Sequence, residues 1–132
     1  MRFMLDTNII SDMIRNPAGK AAGAMARAGD AAVCTSIVVA SELRYGCARK
    51  GSANLLKKVE ELLAELPVLP LDVPVDAEYG VLRAELEGRG ETIGHNDLFI
   101  AAHACALGTT LVTANTAEFA RIGKLKVENW LE

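Results

Sequence analysis

Short, unbroken apolar runs alternate along this chain with longer stretches whose apolar residues recur at helical spacing. Arg2 to Leu5 is the first run and reads as a buried strand; Ile9, Ile10, Met13 and Ile14 follow with the period of a helix until Asn16-Pro17 ends it. Lys20 to Ala28, rich in alanine, predicts a second helix. Ala31 to Thr35 predicts a second strand, and Ser36 is placed to cap a helix from Ile37 to Arg49. Gly51-Ser52 breaks the chain before Ala53 to Leu66, a helix patterned by Leu55, Leu56, Val59, Leu62, Leu63 and Leu66. Pro67 and Pro70 bracket a short extended piece leading to Val73.

An amphipathic helix is expected from Val75 to Arg89, and Gly88, Gly90 and Gly94 mark a loose connection to NDLFIAAHACALG, an almost wholly apolar helix that has to be buried. Thr110 to Thr113 predicts a strand, Ala117 to Arg121 a short helix, and Leu125 to Val127 a last strand. Strands alternating with helices indicate an α/β layer fold around a mainly parallel sheet. No repeat, low-complexity tract or linker divides residues 1–132, so one domain is expected.

Composition narrows the class. With 132 residues, 51% hydrophobic and 23% charged, the chain can bury a core without staples. No apolar run approaches the roughly 20 residues that cross a bilayer, and the N-terminus lacks the layout of a signal peptide, so a cytoplasmic protein without membrane contact is expected. Cys34, Cys47 and Cys105 are odd in number and set in apolar surroundings, which reads as reduced core thiols; with only His95 and His103 besides, a zinc site is disfavoured. The net charge of -3 gives no global basic field, so a nucleic-acid partner has to meet a local patch. A site that gathers carboxylates biases a chain acidic in any case.

In parallel sheets the working site lies outside the carboxyl ends of the strands. Asp6 sits at such an end, in FMLDTN, where an aspartate can also serve simply as a helix cap. Asp97 is followed at i+3, i+4 and i+7 by Ile100, Ala101 and Ala104, which puts a charge on an otherwise apolar face. A carboxylate facing inward needs neutralisation. Glu42, in VVASELRYG, lies within a helix that follows a strand and, taken alone, reads as a solvated charge. TLVT runs into Asn115 and Glu118, again placing oxygen side chains at a strand end. Carboxylates that converge repel one another and are tolerated chiefly around a hard divalent cation such as Mg²⁺ or Mn²⁺.

The segments FMLDTNIIS, SIVVASELRYG, IGHNDLFIAAHA and LVTANTAEFARIGKLKVENW, in this order, resemble the PIN-domain ribonucleases, more narrowly the VapC toxins of bacterial toxin–antitoxin pairs. The resemblance spans nearly the whole chain and implies a three-layer α/β/α fold with a central, mainly parallel sheet. It places Asp6, Glu42 and Asp97 in the family's acidic metal-binding positions and aligns Asn115 with the fourth, where a neutral amide replaces a charge. Thr7 and Asn8 are then expected to orient Asp6 or a metal-bound water, with Glu118 as the next carboxylate.

The implied activity is Mg²⁺-dependent hydrolysis of phosphodiester bonds in structured RNA, tRNA above all, by an activated water, with Mn²⁺ as a substitute ion. The implied partners are a VapB-like antitoxin that inserts a C-terminal segment into a groove of the toxin, a second copy of the chain, and operator DNA reached only through the antitoxin. Exposed apolar faces on the 53–66 and 75–89 helices suit such contacts. His95 reads as structural or surface, and Arg44, Arg49, Lys50, Arg83, Arg89 and Lys124 as solvated cations. Two rivals remain at this point. One is a non-catalytic protein of the same fold; the other is a haloacid-dehalogenase-like phosphatase, which expects an aspartate where Asn8 stands.

Overall fold

The computed structural model covers residues 1–132. Five strands, β1 (Phe3–Leu5), β2 (Val33–Ser36), β3 (Val68–Leu69), β4 (Thr110–Val112) and β5 (Val127–Glu128), form one sheet in the order β3-β2-β1-β4-β5. Every pairing is parallel. The chain steps outward from β1 to β2 to β3, returns, and steps outward on the other side through β4 and β5, so the strand order reverses between β1 and β4. All residues of β1 and β2 are buried. Strands buried on both faces are covered by helices on both, which is the α/β/α layering expected of an all-parallel sheet.

Seven helices supply that cover: α1 (Thr7–Arg15), α2 (Lys20–Ala28), α3 (Ile37–Lys50), α4 (Ala53–Leu63), α5 (Val75–Gly88), α6 (His95–Leu107) and α7 (Thr116–Phe119). Polar side chains start three of them. Asp6 accepts from the Thr7 N–H, Ser36 from Val38, and Ser52 from Leu55, each satisfying an amide that the first turn leaves without a helical partner. Gly51 and Gly108 end α3 and α6 in the left-handed region, at φ +63° and +69°, where a side chain would be strained. In α6, Leu98 and every residue from Ile100 to Ala104 are buried, as an apolar sequence without a polar face requires. It packs against α5, α3 and β4.

Several boundaries differ from the sequence expectation, and in three of them local hydrogen bonding gives the reason. Asp30–Ala32 form a 3₁₀ turn closed by the Ala32 N–H to the Gly29 carbonyl, so the second strand begins at Val33. The helix expected to reach Leu66 stops at Leu63, where the Glu65 N–H bonds back three residues to Leu62 ahead of Pro67; Leu66 is nonetheless buried. Leu125 closes a turn onto Ile122, which delays the last strand to Val127.

Candidate active site

Register places the site. Leu5 lies beside Thr35 on one side and Val112 on the other, so the next row across the sheet consists of Ser36, Asp6 and Thr113. All three are buried, Asp6 at 3% exposure. Three adjacent strands thus present three oxygen side chains at one level, flanking the point where the strand order reverses. Open α/β sheets bind ligands at that point because the loops on either side diverge and leave a crevice.

Asp6 is held by neutral donors. Its Oδ2 accepts from the Thr113 hydroxyl at 2.7 Å and from the Asn8 amide at 3.4 Å, and its Oδ1 from the Thr7 N–H at 2.8 Å. Burial nevertheless pushes its pKa up, with the Thr113 and Thr7 bonds opposing and the Glu42 charge adding to the rise. Asn8 works in both directions, since its Oδ1 also accepts the Ala114 N–H at 2.9 Å and so ties the start of α1 to the loop after β4. An aspartate there could not donate to Asp6, so the residue the phosphatase reading needs would repel the first carboxylate.

The structure brings Glu42 and Asp97 to the same place. Glu42, half-buried on α3, accepts from the Thr7 hydroxyl at 2.6 Å. Thr7 therefore orients Glu42 with its side chain and Asp6 with its backbone, in place of the hydroxyl contact to Asp6 or a water that the resemblance implies. Asp97, in the first turn of α6, has its pKa pushed up to about 7, first by burial and then by the negative charges of Asp6, Glu118 and Glu42. The nearness of the Glu118 carboxyl contributes to the same rise, as expected of neighbouring like charges. Glu118, on α7, thus bends into the group. Asn115 is exposed; its N–H donates to the Thr113 hydroxyl at 3.1 Å and its side chain makes no capping bond to α7.

Thr113 went unnoticed in the sequence, although it stands at a strand end as Asp6 does; nothing in TLVT distinguishes a threonine that supports a carboxylate from one that fills a strand. His95 opens α6, exposed, beside a crevice that Arg83, Thr92 and Leu98 also line. Four of the six cations singled out in the sequence are paired elsewhere: Arg44 with Glu60, Arg83 with Glu87, Arg89 with Glu91 and Lys124 with Glu78. None of these ion pairs reaches the four acids.

The donor set fits a hard divalent cation: it is all oxygen, anionic, and without an ammonium or guanidinium to balance it. No three of its members stand close enough together to make a finished coordination cage. Like charges that face one another hold themselves apart.

Residues 3–125 match the PIN domain family. The chain is 39% identical to ribonuclease VapC2 of Rickettsia felis, over 98% of each chain. It is 36% identical to the tRNA(fMet)-specific endonuclease VapC of Shigella flexneri, again over 98% of each. Among solved structures, VapBC2 of Rickettsia felis bound to a promoter DNA fragment contains a chain that matches this fold with a TM-score of 0.90 at 36% identity, covering 98% of this chain and 99% of that one. The chain belongs to the PIN-domain family, in the branch of the VapC ribonucleases. The phosphatase alternative falls with that assignment.

Two outcomes follow from the geometry. Asn8→Asp replaces an amide donor to Asp6 by a like charge, so urea unfolding at pH 7 should show a loss of about 1–3 kcal/mol that shrinks as the pH is lowered through the carboxylate range. An unchanged midpoint at pH 7 would show that the Asn8–Asp6 contact carries no weight. Asp97 binds its proton more tightly folded, with a pKa of about 7, than unfolded, at 3.8, so the folded state holds the extra proton between those values. Metal-free stability should therefore fall as pH rises through that window, and Asp97→Asn should flatten the fall and leave stability at pH 7 equal or higher. A thermal-melt series against pH on both proteins checks the slope; a large loss in Asp97→Asn at every pH would make Asp97 a structural cap instead.

Proposed function

We propose that this chain is the toxin of a toxin–antitoxin pair, a Mg²⁺-dependent endoribonuclease of the cytoplasm that hydrolyses phosphodiester bonds in structured RNA, with tRNA as the first substrate to test. The observation that carries this reading is the convergence of Asp6, Glu42, Asp97 and Glu118 from four separate elements onto the crevice between β1 and β4, with no cation of the protein to offset them. Asp6, Glu42 and Asp97 are the metal ligands in this proposal. Glu118 supplies the fourth charge, and Asn115 a neutral oxygen at the rim.

Mg²⁺, when bound, polarises a phosphoryl oxygen and lets water act as a nucleophile near neutral pH. The chain's own part is to hold the donors ready. Thr113 and Asn8 fix Asp6, Thr7 fixes Glu42, and Asp97 gives up to bulk water the proton that its neighbours make it keep, as ligands must on metal binding. Support for tRNA comes from the Shigella relative, which bears that specificity in its name. A purely structural role for the fold is disfavoured, because a protein that only bound a partner would gain stability by losing these mutually repelling acids.

The partners are proposed on similar grounds. A cavity of about 280 Å³ lies between α1, α3 and α4, with Ile14, Leu43, Leu55 and Val59 on its walls, Thr7 and Glu42 at one end, and Arg15 and Lys50 at its edge. It suits the inserted segment of a VapB-like antitoxin, with operator DNA reached only through that antitoxin. Leu56 on α4 and Val81 on α5 are exposed and offer apolar surface for a homodimer. No helix is long and apolar enough to cross a membrane. All 132 residues are assigned to one PIN domain.

Asp6→Asn and Asp97→Asn each remove a ligand charge at constant volume, so RNA cleavage should fall by more than about 100-fold while circular dichroism stays unchanged. Wild-type cleavage by either purified variant would sink the assignment. Calorimetric titration with Mn²⁺ distinguishes the two C-terminal candidates: Glu118→Gln should weaken binding by about tenfold or more, and Asn115→Ala by less than about threefold. The reverse order would place Asn115, and not Glu118, against the ion.

A further inference from the structure

Ser36 and His103 form a buried polar contact that the candidate site does not itself require. Ser36, at the end of β2, caps α3: its Oγ accepts the Val38 N–H at 3.1 Å. The same oxygen stands 2.8 Å from Nδ1 of His103 on α6. Ser36 is 0% exposed and His103 1%. With one lone pair of Oγ taken by Val38, the hydroxyl proton is available to Nδ1, an arrangement that a neutral imidazole protonated at Nε2 accepts. Burial lowers the His103 pKa, with the Asp72 charge pulling the other way, which agrees with the neutral ring.

The contact joins the two helices that bring acids to the site. Glu42 lies one and a half to two turns beyond Ser36 along α3, and Asp97 the same distance before His103 along α6, about 9 Å of axial rise in each case. We propose that the Ser36–His103 hydrogen bond is a positioning device that sets α3 against α6 and thereby fixes the separation of Glu42 and Asp97. The inference rests on the metal-site reading given above. Two apolar residues could fill the same space, and in a core they often do so at equal or lower cost. What they would not supply is direction: a short bond between a helix cap and a ring fixes both the spacing and the relative rotation of two helices, whereas apolar packing tolerates small slides.

His103 is therefore a positioning residue, since it touches neither substrate nor metal. Three full-length proteins test it: wild type, His103→Leu, which keeps volume and removes the bond, and His103→Asn, whose side-chain amide reaches the place of Nδ1. The measurements are Mn²⁺ affinity by calorimetry, kcat and KM on RNA, and metal-free melting temperature. Expected are a loss of Mn²⁺ affinity of about tenfold or more in His103→Leu with a lowered kcat and little change in melting temperature, and recovery of most of that affinity in His103→Asn.

Wild-type Mn²⁺ affinity in His103→Leu overturns the proposal, as does an asparagine variant no better than the leucine one. If His103→Leu does not fold, Ser36→Ala against Ser36→Thr asks the same question from the other end: threonine, which keeps the hydroxyl, has to bind Mn²⁺ more tightly than alanine. Failure of the wild type itself to bind Mn²⁺ or cut RNA would instead remove the metal-site reading on which the inference stands.

Discussion

Asp6 is a carboxylate buried at the end of a strand and held only by uncharged donors, and the rest of the molecule is arranged around that fact. Water is excluded from it, and no arginine or lysine replaces the lost hydration. Two N–H groups and one hydroxyl fix its geometry without cancelling its charge. A salt bridge would have stabilised the same group more simply, but it would have cancelled the charge and covered the oxygens on which the proposed metal site relies. The cost is visible in the raised pKa values of Asp6 and Asp97, which report a folded state that disfavours its own ionisation. Stability is given up at this point so that charge remains available.

That arrangement depends on the strand order and not on any loop. The donors come from β1, α3, α6 and α7, and they meet only because β1 and β4 are adjacent and parallel while their following segments depart in different directions. The row Ser36, Asp6, Thr113 follows from the register itself. A slip of one residue in either pairing would turn the inward side chain to the opposite face, and in the β4 pairing it would replace the Thr113 hydroxyl by the apolar Val112 or Ala114. Sheet pairing is thus the first determinant of the site, and the caps that begin α1 and α3 refine it by fixing how each helix leaves its strand.

Most of this was legible in the sequence where a signal was carried by period or by punctuation. All seven helices and four of the five strands are legible because apolar runs end in Asn-Pro, Gly-Ser or Gly, β3 reads only as a short extended piece between prolines, and a mainly parallel sheet follows from alternation. Boundaries drifted where a local turn competed with an apolar residue: Ala31 looks like a strand residue, but the 3₁₀ turn after Gly29, at φ +87°, claims it. Asp6, Glu42 and Asp97 were legible as residues, and the resemblance to the PIN-domain family gave them a common destination. Thr113, and the choice of Thr7 to hold Glu42, were not, because a hydroxyl bond across the fold leaves no trace in spacing. His103 was read only as one of two histidines; its partner lies on another element and no periodicity joins them.

Side-chain reach explains why a neutral residue is tolerated at Asn115. The loop after β4 is anchored by the Ala114 N–H to Asn8 and by the Asn115 N–H to Thr113, so its backbone position is set by bonds that the Asn115 side chain does not make. A carboxylate on that residue would add a further like charge to a group in which Asp97 already holds its proton to about pH 7. Glu118, three residues on and one methylene longer than an aspartate, approaches from α7, near enough for its charge to act on Asp97. It places a charge at the rim of the crevice while keeping it off the buried end of the strand, where the desolvation cost is greatest. In the proposed site the fourth charge thus sits on a longer arm at the rim, and the buried strand end is left with the one aspartate that neutral donors hold.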